Sequence, residues 1–207
     1  MKKLTSLLIV FLFAIGLFTQ PQAASAQTDV YYVKPGDTLW KIAVRYQIGL
    51  SQIISANPQF ENPHWIYPGQ KVYIPNIDRI KAIENEVIRL TNQERAKNGL
   101  PALQANWELS RIARYKSKDM RDRGYFAHNS PTYGSPFDMI RNFGVNYRTA
   151  GENIAAGQRS ASEVVKQWME SPGHRQNILN ASFKEIGVGY AEGGTYGVYW
   201  TQMFIAK

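Results

Sequence analysis

Residues 168–179 read WMESPGHRQNIL, a helical pattern that is interrupted by Ser-Pro-Gly and then resumes. A residue before proline is pushed into the extended conformation of a helix N-cap, and proline suits the first helical position. Ser171 is therefore predicted to cap a new helix that starts at Pro172 and carries His174 in its first turn. Because the positive end of a helix dipole disfavours an imidazolium ion, we expect His174 to stay neutral and to offer a nitrogen lone pair.

The sequence on either side of this break predicts a layered α+β domain. Two long helices precede it, over 80–99 and 108–124, each with apolar residues at helical spacing and a glycine at its end. Residues 150–157, AGENIAAG, are rich in small residues and are predicted to be irregular. The segments 186–192 and 196–206 flank a Gly-Gly turn and predict an antiparallel hairpin. Helices packed on an antiparallel sheet give the predicted fold class.

The second long helix has a face dense in positive charge. Two interpretations are open: the face contacts an anionic polymer such as teichoic acid, or water simply solvates it. The basic residues of this face are Arg111, Arg114, Lys116, Lys118, Arg121 and Arg123.

This part of the chain resembles the bacterial CAP domain, from the superfamily of cysteine-rich secretory, antigen-five and pathogenesis-related proteins. The resemblance spans residues 80–207 and implies an α-β-α sandwich. Family members have a central cleft with two histidines and two glutamates, and some bind a divalent metal, usually zinc, through the histidines. The matching segments, in order, are LTNQERAKNGLPAL, SKDMRDRGYFAHNSP, YRTAGENIAAG, VVKQWMESPGHRQNIL, EIGVGYA and YWTQMF.

Carried over residue by residue, the resemblance gives a candidate cleft. His128 of FAHNSP matches the first histidine, Glu152 of GEN the first glutamate, and His174 of PGHRQN the second histidine. The second glutamate of the family falls on Ser171 here, so either the neighbouring Glu170 substitutes for it or the site has three polar members. The resemblance implies His128 and His174 as metal ligands and Zn²⁺ as the cofactor.

Three interpretations of this cleft stay open. Two neutral histidines and a carboxylate suit a zinc or ligand site, and they suit acid–base catalysis with Glu152 and His174 as candidate catalytic residues. They also suit a buried hydrogen-bond network that fixes the loops. Because the chain has no cysteine, no H-E-x-x-H and no G-x-S-x-G, we expect a binding protein rather than an enzyme.

Residues 29–76 predict a separate strand–helix–helix–strand unit and resemble the LysM module, which binds N-acetylglucosamine glycans such as peptidoglycan. The resemblance rests on YYVKPGDTLWKIAVRY, ISANP and IYPGQKVYIP. In that family the sugar lies between the loop after the first strand and the loop before the last. The resemblance places seven residues near it, namely Gly36, Asp37, Thr38, Asn57, Pro58, Ile66 and Tyr67.

The N-terminus predicts export. Residues 1–26 combine Lys2 and Lys3, a short apolar run and an A-x-A site, the pattern of a secretory signal peptide. Its removal leaves 22 basic residues against 16 acidic ones, a net charge of +6. We expect no transmembrane anchor after cleavage, and anionic wall polymers rather than nucleic acid as electrostatic partners.

Together these features predict a secreted, cell-wall-associated protein. Its LysM module would bind peptidoglycan and its CAP cleft would present a site for a ligand or divalent metal. The LysM segments also resemble those of spore coat assembly proteins, which suggests the spore surface as a location and spore coat proteins as partners. The alternative is a peptidoglycan-directed hydrolase or a zinc-dependent peptidase that uses the same cleft.

Overall fold

The computed structural model describes residues 28–207, so the predicted signal peptide lies outside the described residues. The described chain mixes helices and strands, which confirms the α+β prediction. Among these residues, no helix combines the length and the apolar character that crossing a membrane requires.

The first part is the predicted strand–helix–helix–strand unit. It consists of β1 (Thr28–Tyr32), α1 (Leu39–Tyr46), α2 (Leu50–Ser55) and β2 (Lys71–Pro75), with β1 and β2 paired antiparallel. The hydroxyl of Thr38 accepts from the backbone N–H of Lys41 at 3.1 Å and so caps α1. The apolar face of α1, through Leu39, Ile42 and Ala43, packs on Val72 and Ile74 of β2, because alternate residues of a strand share one face.

The second part is an α-β-α sandwich. Its helices are α3 (Asp78–Lys97), α4 (Trp107–Arg123), α5 (Pro136–Asn142), α6 (Ala161–Glu170) and α7 (Pro172–Ile178). Its strands are β3 (Gln104–Ala105), β4 (Thr149–Ala156), β5 (Glu185–Glu192) and β6 (Val198–Ala206), in the order β3-β5-β6-β4. The predicted final hairpin is the antiparallel β5–β6 pair.

Strand β5 explains how the two helical layers fit on the sheet. Ile186, Val188 and Tyr190 belong to the core that also contains α3, α6 and α7. The intervening glycines meet α4: a Cβ on Gly189 would lie 2.0 Å from the backbone carbon of Ala113, and Gly187 is equally crowded by Leu109. Glycine is therefore required on this face, because only a bare backbone lets α4 approach so closely.

Two local predictions were wrong. Residues 149–156 are not irregular but form β4, which pairs with β6 along its whole length. Small residues carry no alternating pattern, yet tertiary pairing places them in the sheet. On α4, the residues Arg111, Arg114 and Lys116 of the predicted basic face are buried, because other parts of the chain cover this side of the helix.

The LysM unit contacts α4 directly. The Arg111 guanidinium carbon lies 5.0 Å from the ring centre of Trp40 in α1, and 5.8 and 5.5 Å from those of Trp107 and Phe143. The Ser51 hydroxyl of α2 donates to the hydroxyl of Tyr115 at 3.0 Å. A cation between aromatic faces, shielded from water, is favourable. Arg111 therefore joins the two domains.

Loss of the Trp40 ring should weaken this contact measurably. We expect Trp40→Ala to lower the free energy of unfolding by about 1–2 kcal/mol, since it removes one face of a desolvated cation–π contact. Trp65→Ala is the control, because Trp65 is 65% exposed and a surface change of this kind costs less than about 0.5 kcal/mol. Urea unfolding of the two variants measures the difference, and equal losses would argue against the Arg111 contact.

Candidate functional site

The helix break at residues 170–172 places His174 as predicted. Ser171 has extended backbone angles, Pro172 takes the first helical position of α7, and His174 is the third residue of that helix. The Ser171 side chain makes no capping hydrogen bond, so the extended backbone imposed by proline, rather than a hydroxyl cap, starts this helix.

Side-chain amides fix α7 on β4. Asn153 Nδ2 donates to the backbone carbonyl of His174 at 3.1 Å and to Gln202 Oε1 at 3.0 Å. Asn177 Nδ2 donates to the carbonyl of Glu152 at 3.2 Å and to Asn153 Oδ1 at 2.9 Å. Because Asn153 is fully buried, this network holds the His174 helix at a fixed position relative to Glu152. Neither asparagine was predicted to belong to the site, although both lie in the segments GEN and HRQN that carry Glu152 and His174.

The structure brings His128 and Glu152 together. His128 Nδ1 and Glu152 Oε1 are 2.7 Å apart, with the imidazole side chain 54% exposed and the carboxylate side chain 1% exposed. The other carboxylate oxygen, Oε2, is buried and has no hydrogen-bond partner within residues 28–207. Leaving a buried oxygen without a partner is costly, so this carboxylate carries an uncompensated desolvation penalty.

A buried lysine, Lys116, holds the loop that carries His128. Lys116 Nζ donates to the backbone carbonyls of Ala127 at 2.8 Å and His128 at 2.5 Å, and to the hydroxyl of Tyr125 at 3.3 Å. It thereby fixes the loop that carries His128. Lys116 was predicted to lie on a charged surface, and nothing in the local sequence distinguishes it from the half-buried Lys118 or the exposed Arg123.

The pKa values of Glu152, Lys116 and His174 are shifted from their ordinary values. Burial raises the pKa of Glu152, while the hydrogen bond from His128 and the charge of Lys116 partly oppose that rise. Burial lowers the pKa of Lys116, against the attraction of Glu152 and Asp119. Burial and then repulsion from His128 lower the pKa of His174, which agrees with the prediction that this imidazole stays neutral.

The repulsion between the two histidines is testable by titration. We expect His128→Asn to raise the pKa of His174 part of the way towards its ordinary value, because burial remains when the neighbouring charge is removed. NMR titration of the imidazole signals measures the shift, with His64→Asn in the exposed LysM loop as control. An unchanged His174 titration in His128→Asn would show that the two rings do not interact.

Glu170 and Ser171 do not join the His128–Glu152 pair. The Glu170 side chain is exposed, and its carboxylate lies 3.8 Å from Lys166 Nζ at the edge of a groove between α3 and α6. Ser171 is half-buried at the junction of α6 and α7. Within residues 28–207, His128 and Glu152 are in direct contact, and neither Glu170 nor Ser171 makes a hydrogen bond to them.

The residues present fit a metal only in part. Glu152 occupies Nδ1 of His128, which leaves Nε2 for a ligand, the usual arrangement of a carboxylate-oriented metal histidine. A zinc site normally has three or four protein ligands. No group of three or more His, Asp or Glu side chains in the described chain is arranged to hold a metal ion. Of the two histidines, only His128 has a carboxylate partner of this kind within residues 28–207.

The predicted glycan residues of the LysM unit divide into two groups. Asn57 is buried and its amide is fully used: Nδ2 donates to the carbonyls of Ile53 and Tyr73, and Oδ1 accepts from the N–H of Tyr73. Asp37 likewise accepts from the Tyr31 hydroxyl and the Lys34 N–H. The hydrogen bonds of Asn57 and Asp37, like the cap made by Thr38, shape the loops.

Thr38, in addition to its capping role, and the remaining predicted positions are accessible to solvent in whole or in part. Gly36, Thr38, Pro58 and Tyr67 are exposed, and Ile66 is partly buried against the LysM core. Trp65, next to Ile66, is 65% exposed and was absent from the predicted set. Aromatic residues at the surface of a loop offer flat apolar faces, so Trp65 joins Tyr67 as a candidate contact.

Comparison with known proteins agrees with both halves of the chain. The family model described as Cysteine-rich secretory protein family, CAP, matches residues 88–204, and the LysM domain model matches residues 31–75. The uncharacterized protein YkwD of Bacillus subtilis is 59% identical over 128 residues, which are 62% of this chain and 49% of YkwD.

Two further relatives illustrate the two domains. The crystal structure of an extracellular protein containing a SCP domain from Bacillus anthracis is 38% identical with a TM-score of 0.56, over 68% of this chain and 47% of that one. The spore coat assembly protein ExsA of Bacillus cereus is 40% identical over 47 residues, 23% of this chain and 7% of ExsA. The chain spans about half the length of YkwD and of the Bacillus anthracis protein.

The CAP match covers more than half of the chain and coincides with the α-β-α sandwich, while the LysM match coincides with the βααβ unit in front of it. The chain therefore belongs to the cysteine-rich secretory protein family, with a LysM domain ahead of its CAP domain.

Proposed function

We propose that this is a secreted cell-wall protein that binds peptidoglycan through its LysM domain and presents the CAP cleft to a ligand. One observation carries the proposal. The LysM domain meets α4 through α1 and the start of α2, and the loop residues Gly36, Thr38, Pro58 and Tyr67 stay exposed. A glycan can therefore reach them while the two domains are in contact.

Calorimetric titration with N-acetylglucosamine oligomers tests the LysM part. We expect saturable binding that Tyr67→Ala weakens about fivefold, since one stacked ring face contributes on the order of 1 kcal/mol. Tyr196→Ala is the matched control, because Tyr196 is an equally exposed tyrosine in the CAP domain. Failure of the unaltered protein to bind the oligomers would refute the glycan role.

The cleft chemistry favours binding over turnover. Glu152 is the only carboxylate in contact with the candidate histidines within residues 28–207, whereas glycoside hydrolysis commonly uses a pair of carboxylates. The half-exposed ring of His128 offers a ligand one imidazole, and the buried carboxylate of Glu152 orients that ring.

The second candidate function is a hydrolase, favoured by one observation. The raised pKa of Glu152 makes this carboxyl group a better general acid than an ordinary glutamate. Zymography on purified cell wall separates the alternatives. A cleared band that Glu152→Gln abolishes would establish a hydrolase, while retention without clearing would support a binding protein.

Zinc is proposed as an additional ligand of the same cleft. His128 and His174 would hold it, and a bound zinc ion would act as a Lewis acid there. Calorimetric zinc titration, with His128→Ala and His174→Ala as test variants and His64→Ala as control, decides the matter. One-to-one binding lost in both test variants supports the proposal, and absence of binding in the unaltered protein refutes it.

The location is proposed on the same grounds. Export to the cell wall follows from the LysM domain and the predicted signal peptide, and the relationship of the LysM domain to ExsA extends the proposal to the spore surface and spore coat proteins. The basic charge favours anionic wall polymers as further partners. Immunodetection in separated wall, medium and spore fractions tests the location.

A further inference from the structure

A second groove lies on the CAP domain, away from the His128–Glu152 pair. It has a volume of about 520 Å³ and lies between the C-terminal half of α3 and the junction of α6 and α7. Its floor is apolar and consists of Leu90, Val165 and Met169, which also contact the main core. The break between α6 and α7 lets both helices line the same groove.

The rim of this groove carries three cations and two carboxylates. Lys97, Lys166 and Arg175 are the cations, and Glu94 and Glu170 are the carboxylates, which leaves a net charge of +1. Sites with both signs of charge over an apolar floor suit a ligand that has carboxylates, an amino group and small apolar side chains.

The charged side chains at the rim are held only weakly by their partners within the protein. Lys97 pairs with Glu94 at 2.7 Å on the helix surface, and the Lys166–Glu170 separation of 3.8 Å is too long for a hydrogen bond. Arg175 is exposed and makes no ion pair within residues 28–207. Exposed pairs of this kind contribute little, so a ligand carboxylate can replace the internal partner at small cost. The guanidinium of Arg175 can accept a carboxylate in bidentate fashion.

We propose that this groove binds a short acidic peptide with small apolar side chains, the chemistry of the stem peptide of peptidoglycan. The stem peptide carries several carboxylates, one free amino group and alanine methyl groups. Its carboxylates would meet Arg175 and Lys166, its amino group would meet Glu94 or Glu170, and its methyl groups would cover the apolar floor. The inference rests on the proposed wall function and extends it, because glycan and peptide would be bound by different domains.

The test uses the secreted protein and two soluble probes. One probe is the stem tetrapeptide alanine, isoglutamate, diaminopimelate and alanine without sugar and with its N-terminus acetylated, and the other is the same acetylated peptide with its carboxylates amidated. We expect calorimetric binding of the acidic peptide that weakens at least about tenfold in Arg175→Glu/Lys166→Glu, since two attractions become repulsions. The amidated peptide should bind the unaltered protein comparably weakly.

Arg148→Glu is the matched control, because Arg148 is an exposed arginine outside the groove, and its peptide affinity should stay within about twofold. Circular dichroism confirms that each variant folds. Absence of peptide binding in the unaltered protein, equal affinity for the amidated peptide, or full affinity in the double variant would each overturn the proposal.

N-acetylglucosamine oligomers are titrated in parallel to keep the two proposals apart. Glycan binding without peptide binding would refute the groove and leave the LysM function intact. Peptide binding without glycan binding would support the groove and refute the glycan role of the LysM domain. Loss of peptide binding with unchanged glycan binding in Arg175→Glu/Lys166→Glu is the expected pattern.

Discussion

Arg114→Ala is expected to lower the free energy of unfolding by about 3–5 kcal/mol, the usual cost of removing one partner from a buried ion pair. Arg114 Nε lies 2.8 Å from Glu84 Oε1, and both side chains are almost fully buried between α3 and α4. The same carboxylate oxygen accepts from the N–H of Tyr190 in β5. Without the guanidinium, the Glu84 carboxylate would stay buried with one weak donor.

The cost should depend on pH. Burial raises the pKa of Glu84 to about 7, although Arg114 acts to lower it. A raised pKa means that the stability from this group is fully present below its unfolded value and is lost as the pH rises through about 7. Since Arg114 compensates the charged form only, Arg114→Ala should cost more at pH 8 than at pH 5, where Glu84 is protonated.

Urea unfolding at the two pH values measures the effect. The matched control is Glu84→Leu/Arg114→Leu, because an apolar pair of similar volume often costs little or even stabilises a buried position. A double variant as unstable as Arg114→Ala, or a cost independent of pH, would contradict the interpretation.

The second large effect is expected at Lys116. Lys116→Met keeps the length of the side chain but removes the donor for the carbonyls of Ala127 and His128 and a positive charge that lowers the pKa of Glu152. An unsatisfied buried carbonyl costs about 1–3 kcal/mol, and because these two carbonyls are only partly buried we expect a total loss of about 2–4 kcal/mol. The pKa of Glu152 should rise further, because a charge that lowers it is gone.

Two measurements check this prediction, one of the stability and one of the hydrogen bond at the site. Urea unfolding gives the stability, and the NMR signal of the His128 Nδ1 proton reports the hydrogen bond to Glu152. Lys118→Met is the control, since Lys118 stands two residues along the same helix and makes no hydrogen bond to the 125–131 loop within the described chain. Retention of both the stability and the His128 signal in Lys116→Met would show that this lysine does not position the site.

Much of the fold could be predicted because its signals are local. Thr38 before a helical pattern, Pro172 after Ser171, and glycines behind the two long helices each indicate a helix end through the conformation of one or two residues. The final hairpin was predicted in the same way, from aromatic and β-branched residues around a glycine turn. β4 was missed because its small residues have no pattern of their own, and its partner β6 lies more than 40 residues away.

The residues of the candidate site also divide into those that local motifs predict and those that only the folded chain brings together. His128, Glu152 and His174 were predicted from short motifs, but their supports, Lys116, Asn153 and Asn177, were not. The prediction that Glu170 replaces the second glutamate of the family finds no support in the geometry, because its side chain turns to a different groove. A helix break fixes where the backbone goes, while the side chains before and after it face different neighbours.

The sequence by itself therefore determined the two domains and most helix boundaries, since these depend on backbone preferences and on motifs within a few residues. Only the tertiary structure decided which charges are buried. Arg111, Arg114 and Lys116 are on the same helix as the half-buried Lys118 and the exposed Arg123. The local sequence does not show which of these basic residues are buried. Their roles differ because Trp40, Glu84 and the carbonyl of His128, all distant in sequence, cover them in the folded chain.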